Sequence, residues 1–289
     1  MLEKYPIKNL TPEEFPLALR EIPQAPKKLH IRGKLPPSGF KRLCVVGSRK
    51  YSDYGKIVCE QLIKGLAGYP IVIISGLALG IDSIAHESAI KAGITTIAVP
   101  GSGLGENVLY PRSNSGLAYN ILEHGGCLLS EFDDDFRATD YSFPQRNRIM
   151  AGLSEAVLVI EAEKESGTLI TARLATDYNK DVLTVPGSIF SSTSDGPLML
   201  LRLGATPIAT SEDILEALHI DVTDTPKTQA LFEDLSSEER LVVDALHSPR
   251  TRDELLESTT LDPHVLAQTM TLLELKGIIK EIAGKVYLA

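Results

Sequence analysis

Ile71-Val-Ile-Ile-Ser-Gly-Leu-Ala-Leu-Gly-Ile-Asp-Ser-Ile-Ala-His86 passes from an apolar run through small residues into a helical pattern with no spacer. Ile71 to Ile74 is β-branched throughout, which suits a central parallel strand covered on both faces. Ser75, Gly76, Ala78 and Gly80 then keep the backbone open, so unpaired N–H groups can approach an anion at the start of the following helix. Asp82 runs against that reading, because a carboxylate repels a phosphate. Its place is to accept backbone N–H bonds, as a helix cap does, or to orient a ribose or water. The same residues also suit a tight strand-to-helix connection that holds no ligand.

Strand, loop and helix repeat on both sides of this stretch. Lys41-Arg-Leu-Cys-Val-Val-Gly-Ser-Arg49 supplies an earlier strand, and Ile57, Val58, Leu62, Ile63 and Leu66 recur at helical spacing. Further strands are expected at 95–99, 127–130, 156–161 and 181–185, with helices at 81–92, 114–124, 145–153 and 168–178. Segments 196–203, 207–209 and 211–218 close the core. Such alternation builds right-handed βαβ units: an α/β fold with a mostly parallel sheet, helices on both faces, and ligands at the carboxyl ends of the strands. Those ends read Gly47-Ser-Arg49, Ser75-Gly-Leu-Ala78, Pro100-Gly-Ser-Gly103, Ser130-Glu131, Glu161 and Pro186-Gly-Ser188. Any one of them could be chain punctuation, but the series favours a polyanion or nucleotide site.

The 289 residues are 43% hydrophobic, enough for one large core and a small one. No apolar run approaches the roughly 18 residues that span a bilayer, and Met1-Leu-Glu-Lys-Tyr-Pro6 lacks the apolar part of a secretory signal. A cytoplasmic protein without membrane contact is expected. Cys44, Cys59 and Cys127 are isolated and odd in number, which points to buried free thiols and to no disulfide or metal site. A formal net charge of −9 argues against nonspecific coating of nucleic acid while leaving room for a local basic groove. The candidates for that groove are Lys27, Lys28, Arg32, Lys34, Lys41, Arg42, Arg49 and Lys50, with Arg137, Arg146 and Arg148 later.

Four regions are expected. Residues 1–40 form a proline-rich N-terminal extension of short turns with one helix around 13–22, 41–220 the core, 221–233 a polar linker and 234–289 a small domain. In the last, Ser236 and Glu239 give a capping-box signature, Thr251 and Asp262 cap two more helices, and alternation around Ala283-Gly284 marks a hairpin. Three helices and a hairpin make a winged-helix-like module.

Taken in order, the motifs resemble those of the DNA-processing protein A (DprA/Smf) family from the first core strand to the C-terminus. The segments that carry the resemblance include Gly47-Ser-Arg49, Ser75-Gly-Leu-Ala-Leu-Gly-Ile-Asp82 with His86, Tyr110-Pro111, Leu128-Leu-Ser-Glu131 and Phe143-Pro-Gln-Arg-Asn-Arg148. Glu161-Ala162, Ser166-Gly-Thr-Leu-Ile-Thr171, Pro186-Gly187 and Gly204-Ala205 complete them. The resemblance implies a Rossmann-like, single-stranded-DNA-binding recombination mediator of natural, DNA-mediated transformation. Such a protein protects incoming strands, forms a homodimer and loads the RecA recombinase, with no cofactor and no catalysis of its own.

Carried onto this chain, the resemblance makes Arg49 the principal phosphate contact, with Gly47 and Ser48 letting the backbone approach. Ser75 and Gly76 belong to the same edge, and Ser166, Gly167 and Thr168 offer hydroxyl and N–H donors at a helix start. Relatives are usually basic just before that serine, where this chain has Glu165, so Lys164 is the candidate substitute; Leu198 replaces a usual asparagine. Arg146 and Asn147 are candidate DNA contacts, with the alternative that the 146–148 arginines pin Asp133 to Asp135, or Glu131 and Glu161, to the core. At least one arginine is expected to be structural, since two buried carboxylates at adjacent strand ends need partners. An N-terminal helical domain of the sterile-alpha-motif type, frequent in the family, is expected to be absent. The presumed recognition helix, 263–276, has one fixed positive charge, at its far end, which favours a protein contact over duplex reading.

The competing reading is a nucleotide-binding or nucleotide-hydrolysing enzyme related to the lysine-decarboxylase-like phosphoribohydrolases. Their Pro-Gly-Gly-x-Gly-Thr loop has no match in Pro100-Gly-Ser-Gly-Leu-Gly-Glu106, which differs in spacing and lies at another strand. Asp82, His86, Glu131 and Glu161 could supply acid and base. The structural alternative is that Asp82 caps, His86 packs, and both glutamates pair with Arg146 or Arg148.

Overall fold

The computed structural model describes residues 2–220, 236–246, 250–259, 261–275, 278–282 and 285–288. The chain divides into two compact units, Met1–Val222 and Thr223–Ala289. The expected linker at 221–233 and the turn at Ala283-Gly284 lie outside the described residues.

The first unit is built on nine strands: β1 (Lys8–Leu10), β2 (Leu29–Gly33), β3 (Lys41–Val46), β4 (Ile71–Ser75), β5 (Thr96–Ala98), β6 (Cys127–Ser130), β7 (Ala156–Val159), β8 (Asp181–Thr184) and β9 (Thr206–Pro207). They pair in the order β1-β2-β6-β5-β4-β3-β7-β8-β9. Every neighbour from β6 to β9 is parallel, and β2 runs antiparallel to both β1 and β6. Its helices are α1 (Leu17–Arg20), α2 (Asp53–Gly65), α3 (Ile81–Lys91), α4 (Ser115–Glu123), α5 (Ser142–Leu153), α6 (Thr168–Asp177), α7 (Asp195–Arg202) and α8 (Ser211–Ala217).

Alternation along the strands sends the two sets of side chains into two separate cores. Leu43, Val45, Ile71 and Ile73 pack with Leu62 and Ile63 of α2 and with Ile81 and Ile84 of α3. Cys44, Val46, Val72 and Ile74 pack with Ile149, Met150 and Leu153 of α5 and with Ala172 and Ala175 of α6. This is the mostly parallel, doubly covered α/β sheet that the βαβ pattern predicts. All three cysteines are free and buried, as expected.

The N-terminal segment departs from the expected turns and single helix. A 3₁₀ turn at Pro12–Glu14 and the one-turn α1 stand in the helix's place, and the flanking residues form β1 and β2, which extend the sheet beyond β6. Prolines at 26 and 36 bracket β2, and such punctuation hides a short strand near a sheet edge. Phe15, Leu19 and Ile22 share the α5 core, and truncating buried Leu19 to alanine would cost about 2–5 kcal/mol.

Strand order reverses at β3. Strands β4, β5 and β6 extend to one side of it and β7, β8 and β9 to the other. The connections leaving β3 and β7 therefore diverge, and a crevice opens outside their carboxyl ends.

In the second unit, α9 (Ser237–Asp244), α10 (Arg252–Thr259) and α11 (Pro263–Leu275) accompany a hairpin of β10 (Ile279–Ile282) and β11 (Lys285–Leu288). Val242, Leu246, Leu255, Leu266, Leu273 and Val286 form its core. The capping box is in place: Glu239 N donates to Ser236 Oγ at 3.2 Å and Ser236 N donates to Glu239 Oε2 at 2.9 Å. Thr251 and Asp262 likewise accept from Glu254 N and His264 N. Among the described residues no helix is long and apolar enough to cross a membrane.

Candidate functional site

The crevice at the strand-order reversal holds a cavity of about 470 Å³. Its walls are the turn after β3, the first residues of α5, the segment leading into α6, Ala78 from the turn after β4 and Asp82 from the first turn of α3. The turn after β3 is held from within. Ser48 Oγ donates to Lys50 O at 2.9 Å and accepts from Lys50 N at 3.0 Å, and Ser48 O accepts from Ile81 N at 3.2 Å. A side chain at Gly47 would meet Ile81 at 2.7 Å, so glycine lets this turn lie against α3. With its serine occupied, the turn presents Arg49 and Lys50, both exposed. Arg49 Cζ lies 5.3 Å from the centroid of Phe143, and among the described residues no carboxylate pairs with it.

Beneath this rim, the charged groups already have backbone partners. Asp82 Oδ2 accepts from Gly76 N at 3.1 Å and Ala78 N at 3.4 Å, so it takes backbone bonds as expected. Buried Arg146 donates to Gly76 O at 2.5 Å and to Val99 O, stitching the ends of β4 and β5 together. Burial pushes the Asp82 carboxyl above its ordinary value, and the neighbouring Arg146 guanidinium pulls it back. Leu77, at φ 59, adopts the left-handed backbone between these bonds, with its carbonyl accepting from Asn114 Nδ2 at 2.8 Å. His86 packs fully buried. Thr96 Oγ1 donates to Ile73 O and so accepts from His86 Nδ1 at 2.7 Å, which places a ring proton on Nδ1. Burial lowers its pKa from 6.5 to about 3.

The α6 segment supplies the remaining wall. Ser166 Oγ accepts from Thr168 N at 3.2 Å, Thr168 Oγ1 donates to Gly47 O at 3.1 Å, and Asn147 Nδ2 reaches Gly167 O at 3.5 Å. Gly47, Ser48, Arg49, Arg146, Asn147, Ser166, Gly167 and Thr168 thus converge on one cavity. Gly76 forms part of an adjoining small hollow with Arg49, Tyr110 and Phe143.

Ser75 and Lys164 reach neither the cavity nor the hollow. Ser75 is fully buried and donates its hydroxyl to Val45 O at 2.6 Å, since a strand's last residue still points into the sheet. Lys164 is exposed but lies outside the cavity wall, which carries Glu163 and Glu165 instead. The glutamate expectation divides. Glu131 pairs with Arg148, which also donates to Gln24 O, whereas Glu161 takes no arginine. It accepts from Ser52 N at 2.9 Å, Ser52 Oγ at 2.5 Å and Thr193 Oγ1 at 2.9 Å, because the start of α2 offers unpaired donors at that strand end. Asp133 is pinned by Lys28 at 2.6 Å and by no arginine. Among the described residues no group of acidic, histidine and cysteine side chains could hold a metal ion.

The family model of DNA recombination-mediator protein A matches residues 7–219. The chain belongs to that family. A model of the DprA winged helix domain matches residues 225–285. Protein Smf of Escherichia coli is 42% identical over 206 residues, covering 71% of this chain and 54% of that protein. The chain therefore spans about half the length of this relative. DNA processing protein DprA of Streptococcus pneumoniae is 39% identical over 213 residues, 74% of either chain. Among solved structures, DNA processing protein A from S. pneumoniae superposes with a TM-score of 0.68 at 38% identity, covering 74% of this chain and 75% of that one. The Helicobacter pylori protein, described for its single-stranded DNA binding mode, gives 0.66 at 31% identity and covers 76% and 98%.

Two aromatic residues that the motifs contain, Tyr110 and Phe143, were given no place in the site by the sequence. Phe143 supports Arg49 from below and packs on Tyr110 with ring centroids 5.7 Å apart. A phenylalanine before a proline reads as core in a sequence. The available signal was its position, three residues before Arg146 in a segment facing a strand-end turn.

Proposed function

We propose that this chain binds single-stranded DNA in the crevice between the β3 and α6 turns and acts as a recombination mediator. The observation that carries the proposal is Arg49: an exposed guanidinium without a carboxylate partner among the described residues, seated on Phe143 at the strand-order reversal. Phosphate charge meets Arg49 and Lys50, and on the opposite wall the Ser166 hydroxyl and the Gly167 N–H face the crevice. An open crevice with an aromatic shelf suits a flexible strand whose bases are free to stack. The H. pylori relative's described binding mode and the family name support the same reading.

The finer assignments follow the family. The protein protects incoming strands during natural transformation, works as a homodimer and loads RecA, all within the cytoplasm. A dimer presents two crevices to one strand, so long strands bind far better than short ones. The acid and base candidates of the enzyme alternative are engaged elsewhere: Asp82 with backbone N–H groups, His86 with Thr96, Glu131 with Arg148, and Glu161 with Ser52 and Thr193.

The test pairs two assays on the pure protein. Labelled oligonucleotides should bind with strong salt dependence and little base preference, and RecA filament growth on strands covered by single-strand-binding protein should accelerate. Release of base from nucleoside monophosphates, with no strand binding, would replace this reading with the enzyme.

A further inference from the structure

The carboxyl edge of the sheet carries a second exposed surface beside the crevice. Phe190 and Ile189, in the turn after β8, are 93% and 74% exposed, and Tyr51 and Tyr54, where the β3 turn enters α2, are 42% and 50% exposed. These side chains come from distant parts of the sequence, yet one buried carboxylate ties their segments together. Glu161 holds Ser52 on one side and Thr193 on the other. A second tie runs from Tyr54 Oη, which donates to Pro186 O at 2.8 Å. The turn closes on itself as well, with Phe190 N donating to Ser188 Oγ and Ser191 N to Ser188 O. A single exposed ring is ordinary on a protein surface. Apolar side chains held out on braced, mutually tied segments at the ligand-binding edge of the sheet call for a ligand.

Continuity with the crevice identifies that ligand's chemistry. Tyr51 follows Arg49 and Lys50 directly, so the cationic rim runs into the aromatic surface within one turn of chain. Only β7 stands between β3 and β8, a distance of about 10 Å at ordinary strand spacing, which an extended strand crosses. Cations that meet phosphates, followed by rings flanked by serines, are the makings of a stacking platform for single strands. We propose that Tyr51, Tyr54 and Phe190 form a base-stacking platform that receives the nucleotides next to those whose phosphates lie on Arg49 and Lys50. The platform rests on the crevice reading given above.

The chain has no tryptophan, so Phe190→Trp introduces a single one, whose emission is excited apart from that of the tyrosines. Its emission should be quenched by a long single-stranded oligonucleotide. Phe190→Ala and Tyr51→Ala, both at exposed positions, should each weaken binding about tenfold while leaving the fold intact. On an oligonucleotide of equal length with abasic sites, wild type and Phe190→Ala should bind alike, because the backbone contacts are unchanged. Wild-type affinity in Phe190→Ala with unquenched Phe190→Trp emission overturns the platform; if Arg49→Ala abolishes binding in the same series, the crevice stands alone. If Arg49→Ala is also without effect, the crevice reading falls and the platform with it. Loss of self-association in Phe190→Ala, at unchanged oligonucleotide affinity, makes the turn a protein contact and likewise overturns the platform.

Discussion

The floor and the rim of the crevice are both built around arginine, and they use it in opposite ways. On the floor, Arg146 is buried, donates to two carbonyls and faces a carboxylate that itself holds two backbone N–H groups. On the rim, Arg49 is exposed and rests on an aromatic ring. A desolvated cation is useful only while its partners stay in place, whereas an exposed one can exchange water for phosphate at small cost. Removing a floor residue should therefore appear as lost stability, and removing a rim residue as lost affinity.

The largest expected effect is at Arg146. Arg146→Ala removes the nearby positive charge that favours the Asp82 carboxylate and leaves the buried carbonyls of Gly76 and Val99 without a donor, a loss of about 2–5 kcal/mol. Urea unfolding monitored by circular dichroism reads this directly. A variant with the wild-type midpoint and only reduced oligonucleotide binding would move Arg146 from floor to rim.

His86 makes the floor sensitive to acid. Its folded pKa, about 3, lies below the ordinary 6.5, so the unfolded chain takes up the proton first. This stability is complete above pH 6.5 and drains as pH falls toward 3, at up to about 1.4 kcal/mol per pH unit. Unfolding free energies measured at stepped pH should fall less steeply in His86→Gln than in wild type. Parallel slopes would show that the imidazole titrates equally in both states.

Rim effects are smaller and leave the fold alone. Arg49→Ala should lower single-strand affinity about tenfold, as expected for one charge-assisted contact, and reduce the log–log salt slope by about 0.7. Its unfolding midpoint should match wild type to within about 0.5 kcal/mol. Weak binding with an unchanged salt slope would mean that the arginine acts through Phe143 and not on phosphate.

How much of this contrast could be read in the sequence depends on the residue. The strand-turn-helix at 71–86 and the repeating strand ends fixed the α/β plan, and Arg49 stood out because it follows Gly47-Ser48 at such an end. Basic composition elsewhere was no guide. Arg32 donates to the carbonyls of Leu2, Tyr5 and Leu104, Lys28 is tied to Asp133, and Arg42 approaches Glu155 at 3.7 Å. Each partner lies far along the chain, so spacing carries no trace of the pairing. Glu161 is the reverse case: a carboxylate at a strand end looked to need an arginine, but the start of α2 met the need with a serine and a backbone N–H. The edge strands β1 and β2 were concealed by the prolines around them.

The smallest expected effect concerns the second unit, and it tests whether free rim charge is sufficient for binding. Across α11 the sequence Pro263-His-Val-Leu-Ala-Gln-Thr-Met-Thr-Leu-Leu-Glu-Leu275 contains no lysine or arginine, so this helix brings no fixed positive charge to a phosphate backbone. A groove-reading helix needs basic and amide groups on its free face, and here the exposed residues include Val265 and Leu272, with a single amide, Gln268. The first unit has its own sheet and cores and ends at Val222, which makes truncation there a clean experiment. The shortened chain should fold and bind oligonucleotides within about threefold of the full chain, less than the cost of one phosphate contact. Arg49→Ala introduced into the shortened chain should cost the same factor as in the full chain, the additivity expected when the crevice alone carries the affinity. A large loss on truncation, or a truncated chain in which Arg49→Ala no longer matters, would assign part of the strand's path to the winged helix and remove the rim's claim to carry the affinity.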